Sequence, residues 1–521
     1  MAFKTTRLFS VVLGVALITP TLVLGSEALK KVPKHQRQNS WFEQARKDLH
    51  AKPQFDPKIK KAKNVILFVG DGMSVATVTA ARILAGQLQD KTGEENVLSF
   101  ERMPYTGFSK TYNVDAQTAD SAGSITAMMT GVKTNSGLVA VDENALKGAC
   151  STMKDHKLVS ILELAELAGK STGIVSTTRV THATPAATYA KSVDRYWEVD
   201  SLMPKDAIEA GCKDIAMQLI EFKQTLQASY PDAKNIDGLE VVLGGGSTYF
   251  LPANNGTGLR NDNQNLIALW QKNNARGIFV NTKNDLNAVN VNKYSALFGL
   301  FNETHMSYEI ERTRVPSPEE PSLTEMTHKA ISFLSKDDKA YFLMVEAGRI
   351  DHAHRMGNAK RALTETIEFS KAIKKALETV DLKETLVIVT ADHGNVMTMA
   401  GHSKRGNPIL GKVIEVDRIK PSLALDGKPY TTLSYANGMG FFDGGSSELT
   451  SLRMPSIGRA DLTKVDTQAL EFHQEALVPL ALETHSGEDV GIYAQGPNAA
   501  LVSGVNEQNL LFHIMQQALL P

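Results

Sequence analysis

Short apolar runs that end in a glycine or a charged residue recur along the chain. The first, residues 64–69, is apolar without interruption, which is typical of a strand buried on both faces of a parallel sheet. The other β-like runs are 172–177, 241–243, 341–345 and 385–390. Amphipathic stretches with a helical period separate them, at 75–88, 158–168 and 360–378.

This alternation of strands and helices predicts an α/β fold. Its centre is a large, mostly parallel sheet that is flanked by helices on both faces. In such sheets ligands bind at the carboxyl ends of the strands. We therefore expect the functional residues to follow the apolar runs directly.

Some regions interrupt the alternation. Residues 254–277 and 315–321 are predicted to be loop-rich insertions. Residues 401–455 are rich in glycine, proline and serine, with short β-like pieces such as 430–435, and predict a small accessory lobe inserted in the main domain. A long surface loop is the alternative, which the length of the segment disfavours.

The N-terminal residues have the pattern of a secretory signal. Lys4 and Arg7 precede an apolar run at 8–24, and small residues follow it, which predicts a signal peptide over residues 1–25. A membrane anchor is the alternative, but the run is short and Pro20 interrupts it. We expect a secreted or periplasmic protein with no membrane span after cleavage.

The domain organisation predicted from these patterns has three parts. After the signal peptide, residues 26–63 are basic and polar, look helical only around 40–50, and are predicted to form an N-terminal arm. Residues 64–521 are predicted to form the main domain, which carries the inserted lobe.

The charge balance argues against a general nucleic-acid partner. The 521 residues include 56 Lys and Arg against 57 Asp and Glu, a net charge of -1. Such a chain has no overall attraction for polyanions, although a locally held small anion remains compatible with it.

Cys150 and Cys212 are the whole cysteine complement. In an exported protein, one pair is better explained by a disulfide than by a thiolate zinc site, which needs more sulfurs. Two buried free thiols are the remaining alternative.

Ser121 is the strongest candidate nucleophile. It follows Asp120 and precedes a run that is predicted to be a buried helix, so its hydroxyl would lie at a helix N-terminus, which suits an anion. Serine is a weak nucleophile unless a base or a metal activates it. The chain must therefore supply an activator.

Carboxylates, imidazoles and hydroxyls follow several predicted strands. Like charges gathered at one sheet edge repel one another unless a cation neutralises them, so capping alone explains the set poorly. Carboxylate with imidazole suits catalytic zinc, and carboxylate with a threonine hydroxyl suits magnesium. Two cations would clamp an anionic substrate, as phosphoryl transfer requires. The residues are Asp71, Asp120, Ser121, His182, Thr184, Glu346, Asp351, His352, His354, Asp392, His393 and His485.

In this order the motifs resemble those of alkaline phosphatases, and the animal enzymes more than the common enterobacterial one. The resemblance covers nearly the whole chain after the arm. The matching segments are VGDGM at 69–73, DSAG at 120–123, HATPA at 182–186, LGGG at 243–246, VEAGRIDH at 345–352, TADH at 390–393 and ETHSGEDV at 483–490.

The resemblance implies a hydrolase of phosphate monoesters with two zinc ions and one magnesium ion per subunit. Ser121 resembles the serine that carries the phosphoryl group, and Arg195 resembles the arginine that binds two phosphate oxygens; a surface ion pair with Asp194 or Glu198 is the alternative for Arg195. The resemblance implies that one zinc binds Asp71, Asp392, His393 and Ser121. It implies Asp351 and His485 as ligands of the other zinc. The implied magnesium ligands are Asp71, Thr184 and Glu346, with His182 nearby. The family resemblance also implies a homodimer, and it places a disulfide at Cys150 and Cys212.

Position 355 departs from the family pattern. The second zinc is expected to bind Asp351, a histidine four residues later and His485, but the chain has Arg355. Our hypothesis is that His354 replaces that ligand; the rival is a weakened or empty site in which Arg355 offers its charge to the leaving group. A related metallo-phosphodiesterase, sulfatase or phosphomutase, or a degenerate binding module, remain the alternative functions.

Overall fold

The computed structural model describes residues 27–56, 61–315, 319–443 and 459–520. The predicted signal peptide lies outside these residues. A ten-stranded sheet dominates the described part, in the order β15-β2-β14-β8-β1-β7-β3-β4-β6-β5. The strands are β1 (Asn64–Gly70), β2 (Tyr105–Lys110), β3 (Ser171–Arg179), β4 (Val241–Gly245), β5 (Gly277–Val280), β6 (Ala296–Leu300), β7 (Tyr341–Ala347), β8 (Thr385–Thr390), β9 (Gly394–Asn395), β10 (Met397–Met399), β11 (Leu433–Gly438), β12 (Ala476–Pro479), β13 (His485–Ser486), β14 (Val490–Gln495) and β15 (Gly504–Glu507).

Helices surround this sheet. The helices are α1 (Glu27–Lys31), α2 (Lys34–Gln38), α3 (Ser40–Ala51), α4 (Val75–Gln87), α5 (Ser121–Thr130), α6 (Ile161–Leu167), α7 (Ala183–Tyr189), α8 (Lys205–Glu209), α9 (Ile215–Ile220), α10 (Phe222–Ser229), α11 (Leu266–Asn273), α12 (Lys283–Ala288), α13 (Glu309–Arg312), α14 (Leu323–Leu334), α15 (Arg349–Arg355), α16 (Ala359–Thr379), α17 (Gly440–Asp443) and α18 (Leu510–Leu519). No described helix combines the length and the apolar composition that crossing a membrane requires.

Strand β1 lies near the middle of the sheet and pairs in parallel with both β7 and β8. Its side chains alternate between two buried clusters: Val65, Leu67 and Val69 pack on one face, and Ile66 and Phe68 pack on the other. Strand β14 is antiparallel to both β8 and β2. The fold is therefore a mixed but mostly parallel α/β sheet with two covered faces, which confirms the predicted fold class.

The parallel register brings several strand ends to one edge. Val69 of β1 is level with Glu346 of β7 and with Thr390 of β8. Ser176 of β3 is level with Glu346 from the other side. The residues that follow these strands therefore meet at their carboxyl ends.

The stretch 254–277 is more ordered than the sequence suggested. It contains α11, whose first turn is capped by the Asn265 side chain and whose Leu266 and Trp270 are buried. Gly277 then begins β5, the last strand of the sheet. The prediction of a loop-rich insertion holds for 256–265 but not for 266–273, where two buried residues anchor a short helix.

The predicted lobe is described only in part. Strand β11 lies within it and forms a three-stranded sheet with the flanking strands β10 and β12. Residues 444–458 lie outside the described part, and the division into a catalytic domain and a lobe stays a prediction.

The predicted arm packs against the main body. Its helix at 40–50 is observed as α3, whose Phe42 contacts Phe512 of α18 with ring centroids 5.6 Å apart. The short helices α1 and α2 were not predicted. The buried Gln36 side chain of α2 donates to the carbonyls of Thr130 and Val159, at 2.8 and 3.0 Å.

A disulfide joins Cys150 to Cys212, with the Cα atoms 6.0 Å apart, which confirms the predicted bond. Both sulfurs border a small apolar cluster that includes Leu138, Val193 and Trp197. Val193 and Trp197 flank Arg195 in the sequence, so the disulfide and this cluster together hold the segment that carries Arg195.

Glu365 is a buried carboxyl on α16 whose side chain accepts a hydrogen bond from the Glu309 backbone N–H. Burial raises the pKa of Glu365 to about 8. The pKa of a glutamate in the unfolded chain is about 4.3, so between about pH 4.3 and pH 8 the folded state binds one proton that the unfolded state does not. The free energy of unfolding therefore falls as the pH rises through this range.

We expect Glu365→Gln to stabilise the protein relative to the unaltered chain by about 1–3 kcal/mol at pH 9, and by clearly less at pH 5. Urea unfolding of both proteins at the two pH values measures this difference. Glu378→Gln, on the exposed face of the same helix, is the control. An equal effect of Glu365→Gln at both pH values would contradict the prediction.

Candidate active site

Ser121 is the first residue of α5 and is almost fully buried. The Asp120 side chain caps this helix by accepting from the Gly123 N–H at 3.0 Å. Ser121 Oγ lies 3.1 Å from His393 Nε2 and 3.5 Å from Asp71 Oδ1. The candidate nucleophile therefore faces a carboxylate and an imidazole at a helix N-terminus.

Asp71, Asp392 and His393 form the first group that could hold a metal ion, with their ligand atoms within 4.8 Å of one another. Asp71 Oδ2 and Asp392 Oδ2 are buried and, within the described residues, have no hydrogen-bond partner. Burial and the neighbouring carboxylate of Asp392 raise the pKa of Asp71 well above its usual range. Buried carboxylates need a compensating positive charge, so these unpaired oxygen atoms fit a cation site.

Gly72 gives the loop after β1 the shape that this group needs. Its backbone N–H donates to Asp392 Oδ1 at 3.0 Å, and its φ of +70° lies in the left-handed region. A Cβ at this position would lie 2.1 Å from the Asn395 side-chain nitrogen. Only glycine therefore fits this turn.

Asp71, His182 and Glu346 form a second group that could hold an ion. Glu346 Oε2 accepts from Thr178 Oγ1 at 3.0 Å, whereas Glu346 Oε1 and Thr184 Oγ1 are buried without a partner among the described residues. Burial raises the pKa of Glu346 to about 7. Free oxygen atoms from a carboxylate and a hydroxyl suit a hard cation such as magnesium.

Arg195 closes the other side of the site. Its Nη1 donates to Asp120 Oδ2 at 2.9 Å, and its Nη2 lies 3.3 Å from His182 Nε2. Among the described residues Arg195 forms no surface pair with Asp194 or Glu198: its carboxylate partner is Asp120, and Glu198 pairs with Arg179 at 2.7 Å. The Arg195 guanidinium lines the same cavity as Ser121, with a volume of about 570 Å³.

Asp351, His393 and His485 form a third group of close ligand atoms. His485 Nε2 lies 3.4 Å from Asp351 Oδ1, and the His485 and His393 rings stack with centroids 3.6 Å apart. Burial and the neighbouring His393 lower the pKa of His485 to about 4, which leaves a neutral imidazole able to bind a metal.

His354 does not reach this group. Its Nε2 lies 2.9 Å from Thr77 Oγ1 and its Nδ1 lies 2.7 Å from Tyr435 Oη, so both ring nitrogens are engaged elsewhere. The structure thus contradicts the prediction that His354 replaces the missing ligand. The helix α15 turns this ring towards Thr77 of α4 and Tyr435 of β11.

Three histidines crowd the far wall of the cavity. The rings of His182, His305 and His352 lie with centroids 4.3–5.6 Å apart. Burial and the Arg349 guanidinium lower the pKa of His352 to about 3. This wall therefore carries neutral imidazoles alongside the permanent charge of Arg349.

Two residues of the site were missed in the sequence. His305 follows the end of β6, so the strand-end rule that selected the other candidates also applied to it. Asn395 follows His393 by two residues, and its Nδ2 donates to Asp351 Oδ1 at 3.1 Å. No sequence signal distinguished that amide from an ordinary loop residue.

Comparisons with known proteins agree with the geometry. Residues 62–520 match the family model described as Alkaline phosphatase. The chain is 42% identical over 471 residues to the tissue-nonspecific isozyme of alkaline phosphatase of Gallus gallus, covering 88% of this chain and 84% of the relative. It is also 42% identical over 470 residues to an alkaline phosphatase of Gadus morhua, covering 88% and 92%.

Solved structures are similar in fold. The alkaline phosphatase of Thermus thermophilus is 23% identical, with a TM-score of 0.61 over 94% of this chain and 95% of that chain. The alkaline phosphatase of the Antarctic bacterium TAB5 is 22% identical, with a TM-score of 0.58 over 89% and 99%. A structure of a TAB5 mutant contains bound Mg.

Proposed function

The chain belongs to the alkaline phosphatase family and hydrolyses phosphate monoesters, and we propose that it does so through a covalent phosphoserine at Ser121. The observation that carries this proposal is the position of Ser121 Oγ, 3.1 Å from His393 Nε2 at the start of a helix, in a cavity that Arg195 also lines. The serine, the cation-binding groups and the arginine are the parts that phosphoryl transfer needs.

In the first step Ser121 Oγ loses its proton and attacks phosphorus, while the alcohol oxygen of the ester departs from the opposite side and takes up a proton through solvent. Water then attacks the phosphorus of the phosphoserine and the bond from phosphorus to Ser121 Oγ breaks. One proton of the water passes to Oγ, which restores the serine hydroxyl as inorganic phosphate is released. A zinc ion held by Asp71, Asp392 and His393 would favour the Ser121 alkoxide and draw charge from the phosphate. The buried helix N-terminus of α5 favours the same negative charge.

Arg195 is proposed to bind two oxygens of the phosphate that do not react. Its hydrogen bond to Asp120 fixes the guanidinium plane, and Asp120 also caps the helix that begins with Ser121. The Asp120 carboxylate thereby positions both Ser121 and the Arg195 guanidinium. A lysine could not make the paired contact, because it presents a point charge in place of a planar fork.

The family is metal-dependent, and its implied content is two zinc ions and one magnesium ion per subunit. The described residues fit zinc at Asp71, Asp392 and His393. They also fit magnesium at Asp71, Thr184 and Glu346, with His182 adjacent. They do not provide a complete second zinc site, since the only third ligand near Asp351 and His485 in the described residues is His393, which also belongs to the first site.

We further propose that the protein is exported and acts as a homodimer on small phosphate monoesters of broad range. Export rests on the signal pattern of residues 1–25, and dimerisation rests on the family resemblance. The N-terminal arm and the lobe at 401–455 are the proposed contacts between subunits.

A comparison of substrates tests this function against the related metallo-enzymes. The purified protein with zinc and magnesium should hydrolyse a phosphate monoester faster than a phosphate diester or a sulfate ester by at least about 10²-fold in kcat/KM, since its arginine and serine fit a dianionic phosphoryl group. A preference for the diester or the sulfate would indicate the corresponding alternative. No turnover of any of the three would indicate a binding module.

A further inference from the structure

His393 belongs to two of the groups that could hold a metal ion. Its Nε2 lies 3.4 Å from Asp71 Oδ1 and 3.4 Å from Asp392 Oδ2, and its ring also stacks on His485. One imidazole nitrogen has a single lone pair, so it can bind only one cation at a time. Once zinc occupies the Asp71 and Asp392 group, Asp351 and His485 remain as a pair.

No other described histidine can complete that pair. Both ring nitrogens of His354 are engaged by Thr77 and Tyr435. His352 Nδ1 lies 3.0 Å from Arg349 Nη1, and its ring lies among His182 and His305 on the far wall. A pair of ligands is fewer than the three protein ligands that catalytic zinc sites use.

Arg355 lies beside the incomplete pair. It is the last residue of α15, and its carbonyl accepts from the Glu483 N–H at 2.9 Å, two residues before His485. Its side chain lines the cavity together with Ser121 and His485. Within the described residues that side chain makes no hydrogen bond or ion pair, whereas Arg195 in the same cavity is paired with Asp120.

We propose that Arg355 takes over the role of a second zinc, and that its guanidinium stabilises the negative charge that develops on the departing alcohol oxygen. The inference rests on the proposed function. An arginine is always charged and donates several N–H groups, so it can supply a fixed positive charge where Asp351 and His485 alone would hold a metal weakly. Arg355 is therefore a catalytic residue on the leaving-group side of the site.

Metal content tests the first half of the proposal without any assay of activity. The unaltered protein, loaded with zinc and magnesium and then passed through a desalting column, should retain a single zinc per chain by elemental analysis. Arg355→His should retain a second zinc, because it supplies the third ligand. Two retained zinc ions in the unaltered protein, or no gain in a folded Arg355→His protein, would overturn the proposal.

Leaving-group dependence tests the second half. In Arg355→Met, kcat/KM for an alkyl phosphate with a basic leaving group should fall by about 10²-fold, the order expected when one transition-state donor is lost. For an aryl phosphate with an acidic leaving group the fall should be less than about threefold, since little charge then needs stabilising. Arg355→Lys should keep part of the effect.

Lys147→Met is the matched control. Lys147 is an exposed cation that lines the same cavity. Its loss should lower kcat/KM for the alkyl and the aryl phosphate by the same factor, because it changes only the overall electrostatic potential of the cavity. An equal fall of both rates in Arg355→Met would overturn the assignment to the leaving oxygen. Failure of the proposed function itself would be seen separately, as the absence of monoester turnover and of a trapped phosphoenzyme in the unaltered protein.

Discussion

Replacing Ser121 with alanine should abolish the covalent phosphoenzyme and lower kcat for phosphate monoesters by at least about 10⁴-fold, the order seen when an activated nucleophile is deleted. The Ser121 hydroxyl is the only group at the start of α5 that faces both Asp71 and His393 among the described residues. Its removal leaves the cation-binding carboxylates in place. Acid quenching with labelled phosphate, followed by protein precipitation, measures the covalent intermediate.

Ser124→Ala is the control for this experiment. Ser124 lies one turn further along α5, is equally buried, and hydrogen-bonds to the Asp120 carbonyl at 2.9 Å. It should retain phosphoenzyme formation, with at most a modest loss of stability. If Ser121→Ala kept a covalent intermediate and full activity, another residue would be the nucleophile.

Replacing Asp71 with asparagine should have the second large effect. Asp71 belongs to two of the groups that could hold a metal ion, and its buried Oδ2 has no hydrogen-bond partner among the described residues. The neutral amide cannot balance either cation, so zinc and magnesium content should both fall. We expect kcat/KM to drop by more than about 10³-fold, several kcal/mol of transition-state stabilisation.

The Glu365→Gln protein serves as the comparison for Asp71→Asn, since it also neutralises a fully buried carboxyl but lies outside the three groups. Its metal content should equal that of the unaltered protein. Normal zinc and magnesium content in Asp71→Asn would show that Asp71 is not a shared ligand.

The sheet and the strand-end residues could be predicted because their signal is local. A continuous apolar run such as 64–69 predicts a buried strand, and the parallel arrangement then places Asp71, Asp392 and Glu346 at one edge. The order of the strands was not predictable in this way. Nothing local indicates that β14 enters the sheet antiparallel, next to β8.

The position of His354 could not be predicted from spacing. A separation of three residues puts Asp351 and His354 on neighbouring sides of a helix, but the direction of the ring depends on its partners. Those partners are Thr77 and Tyr435, which are far away in the sequence. Non-local hydrogen bonds therefore decided which histidine reaches the site.

The role of Arg355 also could not be predicted, because it depends on contacts between residues that are far apart in the sequence. The sequence established that a cation stands where a ligand was expected, but not whether another histidine compensated for it. The engagement of His354 and the shared Nε2 of His393 are both three-dimensional facts. Together they favour the interpretation in which the arginine itself contributes.

The site draws on residues from Asp71, just after the first strand, to His485, close to the C-terminus. A ribosome therefore has to complete nearly the whole chain before the cation-binding groups and the serine can meet. Partial chains, whether stalled during synthesis or cut short, lack one wall of the site.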